Sequence, residues 1–308
     1  MKKYLTFLLS FFLLSGCFND TSEIISIPDP IFNSLLISKF DKNKDGEISK
    51  YEASKVRVID VSGTPVKNNG ITSLEGIEHF TGLTSLNCSY NNLITLDISN
   101  NKELTELSCF YNTLTSLDVS NNVKLTKLTC HHNIIPNLDV SKNVLLETLF
   151  CYTNQLTEID VTNNTELIFF SCSYNQITEL DISKNLILSK FFCNNNKLTN
   201  LDISNNKELL TLICYTNMLT SLDVTNNIEL TMIDCHGNQL TETDISNNLE
   251  LTEFSCSDNK ITQLDVSNNL KLNRLLCRDC SELKTIYMKD NQEIKVFRKN
   301  IESKILYK

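Results

Sequence analysis

The sequence predicts a solenoid, in which successive coils of chain stack in register along one axis. Ten of the twelve cysteines recur every 21 residues, an interval typical of repeat architectures. Aspartates and asparagines keep the same interval, so three residue types mark equal places in each coil. The cysteines are Cys88, Cys109, Cys130, Cys151, Cys172, Cys193, Cys214, Cys235, Cys256 and Cys277, the aspartates run from Asp97 to Asp265, and the asparagines run from Asn91 to Asn259.

Each repeat unit divides into two similar halves. Residues 104–114 fit the pattern LxxLxLxxNxL with Cys109 as the third apolar residue, and residues 114–122 repeat the skeleton LxxLxVxxN. This skeleton resembles the nested 21-residue leucine-rich repeats of bacterial surface proteins. The resemblance implies a right-handed leucine-rich-repeat stack with short parallel β-strands, and the doubling predicts strands on two sides of each coil. About ten coils then occupy residues 83–289.

The composition agrees with a continuous core and narrows the range of partners. Hydrophobic residues make up 41% of the 308-residue chain, which is ample for burial along a stack. The net charge of −9 argues against nucleic acid as a partner, because phosphate groups select clustered Lys and Arg. Among 7 glycines only Gly237 lies in the repeats, so the turns are predicted to rely on Asn at positive φ.

Residues 1–16 are predicted to be a signal peptide and not part of the fold. Lys2 and Lys3 precede an apolar stretch that is too short to span a bilayer, and the tetrapeptide LSGC at 14–17 follows. It resembles the bacterial lipobox, which implies cleavage before Cys17 and lipid attachment to that residue. We therefore expect a lipid-anchored protein of the bacterial envelope, at the outer membrane and facing outward, with residues 17–28 as a tether. The alternative is an ordinary secretory signal.

Three further units flank the repeats. Residues 29–56 are predicted to form a small helical EF-hand-like cap, because Asp29 and Pro30 are typical of a helix start. Residues 57–82 include apolar residues at every third position without the cysteine, which predicts a degenerate coil that caps the open end of the core. Residues 290–308 are charged and are expected to close the last coil as a C-terminal cap or arm.

The segment 41–52 (DKNKDGEISKYE) matches the twelve-residue EF-hand loop at every constrained position. Ca²⁺ prefers six to eight oxygen ligands on a tightly curled loop, and Gly46 permits the sharp bend. EF-hand loops normally pair, so a single loop favours a structural Ca²⁺ that stiffens the cap over a calcium switch. The alternative is a solvated acidic turn that binds no metal. The predicted ligands are Asp41, Asn43, Asp45, Glu47 through its backbone carbonyl, Ser49 and Glu52.

The repeated cysteines are predicted to be buried free thiols. Their Cβ atoms point the same way one strand spacing apart, which is farther than a disulfide allows. A local disulfide between Cys277 and Cys280 is the alternative at the C-terminal end. The repeated aspartates are expected to accept hydrogen bonds from residues two positions on, as in an Asx turn, which offsets their mutual repulsion.

One surface varies from coil to coil while its inward residues stay the same. Residues just after each cysteine include aromatic side chains with polar tips, which are typical of interface anchors. We predict that this side contacts a partner. The alternative is that these rings merely cover neighbouring strands. The predicted contact residues are Tyr90, Phe110, Tyr111, His131, Tyr152, Tyr174, Tyr215 and His236.

These features predict a cell-surface binding module that is monomeric and recognises a protein or a glycan. The alternative is a structural surface-layer or spacer protein whose uniform side self-associates. The sequence has no Ser/His/Asp arrangement, phosphate loop, HExxH motif or paired acid spacing, so we do not expect an enzyme.

Overall fold

The computed structural model describes residues 22–308, and the predicted signal peptide and Cys17 lie outside the described residues. Helix α1 spans Pro30–Phe40, α2 spans Lys50–Lys55, and a short 3₁₀ turn spans Ile77–His79. All strands are short and parallel. They are β1 Val58–Asp60, β2 Ser85–Asn87, β3 Glu106–Ser108, β4 Lys127–Thr129, β5 Thr148–Phe150, β6 Phe169–Ser171, β7 Lys190–Phe192, β8 Thr211–Ile213, β9 Met232–Asp234, β10 Glu253–Ser255, β11 Gln263–Asp265, β12 Arg274–Cys277, β13 Thr285–Met288, β14 Val296–Lys299 and β15 Lys304–Tyr307.

Twelve of these strands form one long sheet in chain order from β1 to β10, then β12 and β14. Leu107 pairs with Leu128 and Leu128 pairs with Leu149, so each residue lies beside its equivalent 21 positions on. The inward Leu, Ile, Val and Cys side chains form one continuous core along the axis. The predicted solenoid of stacked leucine-rich repeats is confirmed.

The second half of the repeats differs from the prediction of strands on two sides. Among residues 22–308, this side forms strands only at the C-terminal end, where β11, β13 and β15 pair. In earlier coils the chain turns directly after each aspartate, because the Ser or Thr N–H two residues on donates to the carboxylate. The N–H of Ser120, for example, lies 2.9 Å from Asp118 Oδ1. Adjacent coils are joined there by asparagine side chains instead of strand pairing.

The repeated aspartates form the predicted Asx turns, from Ser99 on Asp97 to Ser267 on Asp265. Bonds from the backbone N–H and hydroxyl of Ser99 lower the pKa of Asp97 below its ordinary value. A carboxyl group with a lowered pKa in the folded state contributes stability above its unfolded pKa. That contribution is lost as the pH falls through the lowered value.

The cysteine ladder consists of buried free thiols, as predicted. All eleven cysteines between residues 22 and 308 are free and buried, including Cys277 and Cys280. Burial raises the pKa of Cys88 to about 12, and its Sγ lies 3.6 Å from the carbonyl oxygen of Ser108 on the next strand. The thiols therefore act as small apolar core groups with a weak donor.

A ladder of asparagines three residues after each cysteine joins neighbouring coils. Asn133 Nδ2 donates to the carbonyl groups of Cys109 at 3.1 Å and Cys130 at 2.9 Å, and its Oδ1 accepts the N–H of Leu114 at 3.0 Å. One side chain thus bonds to its own coil and to the coil before it. In the last repeat Cys280 takes this place, and its Sγ donates to the carbonyl of Cys256 at 3.3 Å.

A second asparagine ladder lies on the opposite side of the core. Asn164 is fully buried, and its Nδ2 donates to the carbonyl groups of Val140 at 3.0 Å and Asn143 at 2.8 Å. The preceding Asn163 is exposed. The ladder ends at Gln292, whose Nε2 makes the equivalent bonds to Val266 and Asn269 at 3.0 Å each. Gln292 stands 23 positions after Asn269, two more than the repeat interval, and its longer side chain suits this longer spacing.

Both ends of the core are covered. Asp29 Oδ1 accepts the N–H groups of Ile31 and Phe32, which caps helix α1, while Oδ2 accepts the N–H of Thr72 at 2.8 Å. One buried carboxylate therefore joins the helical cap to the coil at 57–82. At the other end, β14 and β15 add the last strand to the two sheets, so residues 290–308 close the stack.

The two adjacent asparagines allow a test of the second ladder. We expect Asn164→Ala to lower the free energy of unfolding by about 1–3 kcal/mol, because it removes the two hydrogen bonds of Nδ2 to the carbonyl groups of Val140 and Asn143, each of which keeps one backbone donor. Asn163→Ala should change it by less than about 0.5 kcal/mol, since its side chain is at the surface. Urea unfolding followed by far-UV circular dichroism measures both. Equal effects of the two substitutions would contradict the assignment.

Candidate binding face

The outward side of the long sheet and the turns that follow its strands form one continuous surface, which we call the aromatic face. Every predicted contact residue lies on it, because each stands one or two positions after a ladder cysteine. Equivalent residues of adjacent coils lie one strand apart, so their side chains meet in columns along the axis. Two rings are therefore in contact where adjacent coils both have an aromatic residue at the same place in a column.

Two ring stacks occupy the N-terminal half of the aromatic face. In the first, Tyr90 stacks on Tyr111 with ring centroids 4.6 Å apart, and Tyr111 stacks on His132 at 4.0 Å. In the second, Phe110 stacks on His131 at 4.4 Å, and His131 stacks on Tyr152 at 4.1 Å. Each inner ring is covered on both faces by its neighbours. This half of the aromatic face therefore exposes mainly ring edges and hydroxyl groups.

The stacking leaves the predicted contact residues unequally accessible. His131 is 7% exposed, and burial lowers its pKa to about 3, so it is a neutral packing residue at physiological pH. Tyr111 and Tyr174 are 41% and 51% exposed and present the most surface. The exposed fraction is intermediate for Phe110, Tyr152, Tyr215 and His236.

An apolar groove, which we call the aromatic groove, lies at the centre of the aromatic face across β5 to β8. Phe169 packs edge-on against Phe150 at 4.5 Å and against Phe192 at 5.0 Å, and these three rings form one wall. The cavity has a volume of about 410 Å³. Its lining residues are Phe150, Tyr152, Phe169, Ser171, Ser173, Tyr174, Phe192, Asn194, Ile213 and Tyr215.

Phe169 is a surface residue of this groove that the sequence pattern does not predict. Its column is otherwise mainly polar, with Thr148 and Lys190 on either side, so the aromatic ring had no periodic signal. At the C-terminal side of the groove, Tyr215 stacks on His236 at 4.3 Å, and the hydroxyl oxygens of Tyr174 and Tyr215 lie 3.3 Å apart. The structure thus joins Tyr152, Tyr174, Tyr215 and His236 around one site.

One column of the aromatic face has left-handed backbone. The residue two positions after each cysteine has φ between 51° and 62° from Tyr90 to Asp279. The ladder asparagines follow this column and do not occupy it, so the prediction that Asn supplies the positive φ is wrong for most coils. Gly237 adopts this conformation without strain, and Asn, Asp and His tolerate it best among the other residues. In this column they are Asn195, His132, Asp258 and Asp279. Thr153 and Thr216, with φ of 52° each, are strained because a β-branched side chain crowds this backbone.

The predicted calcium loop is curled by a series of turn bonds. Asp41 accepts the N–H groups of Lys44 at 2.6 Å and Gly46 at 2.9 Å through its two carboxylate oxygens. Asp45 Oδ1 accepts the N–H of Glu47 at 3.0 Å. Lys44 and Gly46 have φ of 63° and 86°, so the bend lies where glycine was predicted to permit it.

Glu52 lies at the end of this loop and is 6% exposed. Its Oε1 accepts the N–H of Lys42 at 2.7 Å, and its Oε2 accepts the N–H of Ser49 at 3.1 Å, which forms a capping box on helix α2. Its Oε2 also accepts the hydroxyl of Ser49 at 3.1 Å, so Oε1 is the oxygen that keeps a second lone pair. The loop therefore presents hard oxygen donors of the kind that Ca²⁺ prefers, although residues 22–308 include no cluster of three His, Cys, Asp or Glu side chains already placed around a metal position.

The predicted tether contacts the calcium loop directly. The N–H of Ile25 donates to the carbonyl of Ile48 at 2.8 Å, and the N–H of Lys50 donates to the carbonyl of Glu23 at 2.8 Å. Ile48 is 1% exposed in the cap core. Residues 23–25 thus lie against the single loop as a short antiparallel segment. Within the described part of the chain, no helix is both long and apolar enough to cross a membrane.

These features define a leucine-rich-repeat solenoid with a cysteine ladder and a variable aromatic face. Comparison with solved structures shows the same fold in the functional domain of internalin J from Listeria monocytogenes, which is described as including a cysteine ladder. That domain is 34% identical, with a TM-score of 0.78 over 92% of this chain and 72% of that domain. The chain therefore belongs to the internalin family of bacterial leucine-rich-repeat proteins.

Other comparisons agree with this family. A stretch of 74 residues is 42% identical to internalin J of L. monocytogenes serotype 4b, and covers 24% of this chain and 8% of that protein. The chain thus matches only a small part of that relative's length. Internalin C2 of L. monocytogenes shares the fold at 20% identity, with a TM-score of 0.60 over 67% of this chain and 92% of that structure. No protein-family model matches the chain.

The strained column predicts a stabilising substitution. We expect Thr216→Asn to raise the free energy of unfolding by about 1 kcal/mol, because Asn tolerates positive φ better than a β-branched residue. Thr95→Asn is a suitable control, since Thr95 is an exposed residue outside the positive-φ column. Denaturant unfolding of both variants measures the difference. An unchanged or lower stability of Thr216→Asn would show that this backbone is not strained.

Proposed function

We propose that this protein is a cell-surface recognition module that binds a protein partner through the aromatic face. The observation that carries this proposal is the aromatic groove, a concave apolar site of about 410 Å³ on a sheet whose strands are held in register. Pockets with apolar walls and a few polar groups are the usual binding sites of proteins. Membership of the internalin family supports a surface protein that binds other proteins, and gives no support for an enzyme.

A protein partner suits the aromatic face better than a glycan does. Carbohydrate rings stack on open aromatic faces, whereas Tyr111 and His131 are covered on both faces by neighbouring rings. The open part of the surface is the groove, with walls of Phe and Ile and a floor of Ser171, Ser173 and Asn194. Such a site takes an apolar side chain, while its floor residues are nearly buried and the hydroxyl of Ser173 donates to Asn194 Oδ1 at 2.6 Å.

We propose a monomer over the alternative of a self-associating spacer. Half-exposed aliphatic side chains do form a row after the second asparagine ladder, but Thr165 and Lys207 interrupt it. The remaining runs have at most three residues, which is a small area for a stable interface. The row consists of Val123, Val144, Leu186, Ile228, Leu249 and Leu270.

We also propose that the loop at 41–52 binds Ca²⁺ and stiffens the N-terminal cap. The ligands would be side-chain oxygens of Asp41, Asn43, Asp45 and Glu52, the carbonyl of Glu47, and Ser49 through a water. The turn bonds on Asp41 and Asp45 support this assignment, because they curl the loop while leaving lone pairs available. A bound cation would neutralise the mutual repulsion of these carboxylates. The effect is structural, since the loop has no partner loop among residues 22–308 and the tether lies against it.

The location that we propose is the bacterial outer membrane, with the protein anchored through lipid on Cys17 and facing outward. The support is the tetrapeptide LSGC at 14–17, which lies outside the described residues. A diacylated cysteine gives stable anchoring, whereas a single acyl chain gives only marginal binding. The anchor would be joined to the cap at its calcium loop, because residues 23–25 lie against that loop.

Two matched substitutions test the calcium site. We expect Asp45→Asn to weaken Ca²⁺ binding at least about tenfold, because it removes a charged ligand while Oδ1 still accepts the N–H of Glu47. Glu47→Gln removes the same charge but keeps the backbone ligand, and should weaken binding by less than about threefold. Isothermal titration of calcium-free protein measures both affinities. Equal losses of Ca²⁺ affinity in the two variants would indicate a general charge effect. The absence of binding heat when Ca²⁺ is added to unmodified protein would exclude the site.

The aromatic face is tested by a double substitution. We expect Tyr152→Ala with Tyr215→Ala to lower the binding of the protein to its partner at least about tenfold, since two central anchors are removed. Arrays of extracellular proteins and of glycans, probed with labelled protein, identify the partner class first. Val144→Ala, on the other side of the coil, is the control and should bind normally. Partner binding that survives the double substitution would refute the assignment, as would signals on the glycan array alone.

A further inference from the structure

We infer that the aromatic groove binds a partner segment in which a large apolar side chain stands next to a carboxylate. This inference rests on the proposed protein-binding function and deepens it, because it names the chemistry of the partner. It combines two observations, the shape and polarity of the groove and the sign of the charge at its edge.

The apolar requirement follows from the groove walls. The Phe rings at 150, 169 and 192 meet edge to face at 4.5 and 5.0 Å, and one partly exposed Phe ring lies in each of β5, β6 and β7. Ile213 continues the wall in β8. A volume of about 410 Å³ accommodates one large aromatic or aliphatic side chain together with a short stretch of backbone.

The charge requirement follows from Lys190. It is the one charged residue among the outward positions of β5 to β8, and its Nζ lies 5.6 Å from the centroid of the Phe169 ring. Within residues 22–308, Lys190 forms no ion pair, and the groove lining includes no Asp or Glu. A chain of net charge −9 thus places a cation without an ion-pair partner beside the aromatic groove.

The polarity of the site discriminates among partners. A carboxylate beside the apolar anchor would meet Lys190 at the partly dehydrated rim, where an ion pair is stronger than in open water. A Lys or Arg at the same place in the partner would be repelled. Acidic residues of the long sheet lie in coils on either side of the groove, at Glu106, Asp234 and Glu253, so the selection is local to β5 to β8.

Selection of peptides on matched variants tests this inference. A random dodecapeptide phage library is selected on immobilised unmodified protein, on Lys190→Glu and on Lys207→Glu. Lys190 and Lys207 are both exposed, so neither change should disturb folding, and Lys207 lies away from the groove. We expect unmodified protein and Lys207→Glu to enrich peptides with Phe, Tyr, Trp or Leu beside Asp or Glu. Lys190→Glu should enrich the same apolar residues beside Lys or Arg.

Affinity measurements make the expectation quantitative. For the most enriched acidic peptide, Lys190→Glu should weaken binding about tenfold and Lys207→Glu by less than about twofold, because only the first reverses the charge at the rim. Phe192→Ala should weaken binding of acidic and basic peptides alike. Ile213→Ser is a second groove variant in case Phe192→Ala unfolds, and circular dichroism checks the folding of both.

The outcomes separate this inference from the proposed function. Enriched peptides that lose binding with Phe192→Ala but show no change of charge preference with Lys190→Glu would overturn the inference and leave protein binding at the groove intact. A library that yields no groove-dependent peptide, with glycans bound and then lost in Phe192→Ala, would overturn both. A reversal of charge preference on Lys190→Glu alone supports both.

Discussion

The structure depends on buried asparagine amides that bond the backbone carbonyl groups of adjacent coils. A 21-residue coil cannot pair all its inward carbonyl groups through a sheet, because only three or four residues of each coil lie in the long sheet. Unpaired buried carbonyl groups destabilise a fold. Asn133 provides the donors for two cysteine carbonyl groups on one side of the core. On the other side Asn164 adds a second donor to carbonyl groups that already accept a backbone N–H, and so bonds adjacent coils together. Each amide bonds to its own unit and the preceding unit, so the ladders hold neighbouring coils in register.

The 21-residue register explains which residues repeat in the core and which vary on the aromatic face. Inward positions repeat as Leu, Cys and Val or Ile, so the core of each coil is packed with side chains of similar size. Outward positions are free to vary, since they do not affect stacking. The column with left-handed backbone is an exception to this freedom. Its side chains lie on the aromatic face, but the turn before each ladder asparagine fixes its backbone at positive φ. Strained residues such as Thr153 persist there because the surrounding bonds fix the turn.

The N-terminal cap is also joined to its neighbouring segments by polar groups that bond to both. Asp29 caps helix α1 and also bonds to Thr72 in the first coil, so the cap and the solenoid are joined by one buried carboxylate. The carbonyl of Ile48 accepts the N–H of Ile25, so the segment at 23–25 is joined to the loop of the cap through its backbone. In a solenoid each unit contacts only its neighbours. A calcium ion in the loop would therefore act on the cap and the first coil and not on the distant aromatic groove.

Sequence periodicity alone determined the stack, its 21-residue register, the buried thiols and the Asx turns, because equal positions in a repeated coil must meet equal surroundings. It also placed the aromatic residues on one side. Only the tertiary structure decided that strands form on one side for most of the length and that His131 is buried by its neighbours. The same holds for Phe169, which completes the groove, and for Asn164, which is buried beside an exposed Asn163. These outcomes depend on contacts between side chains in different coils, and a pattern along one coil does not specify how such neighbours pack.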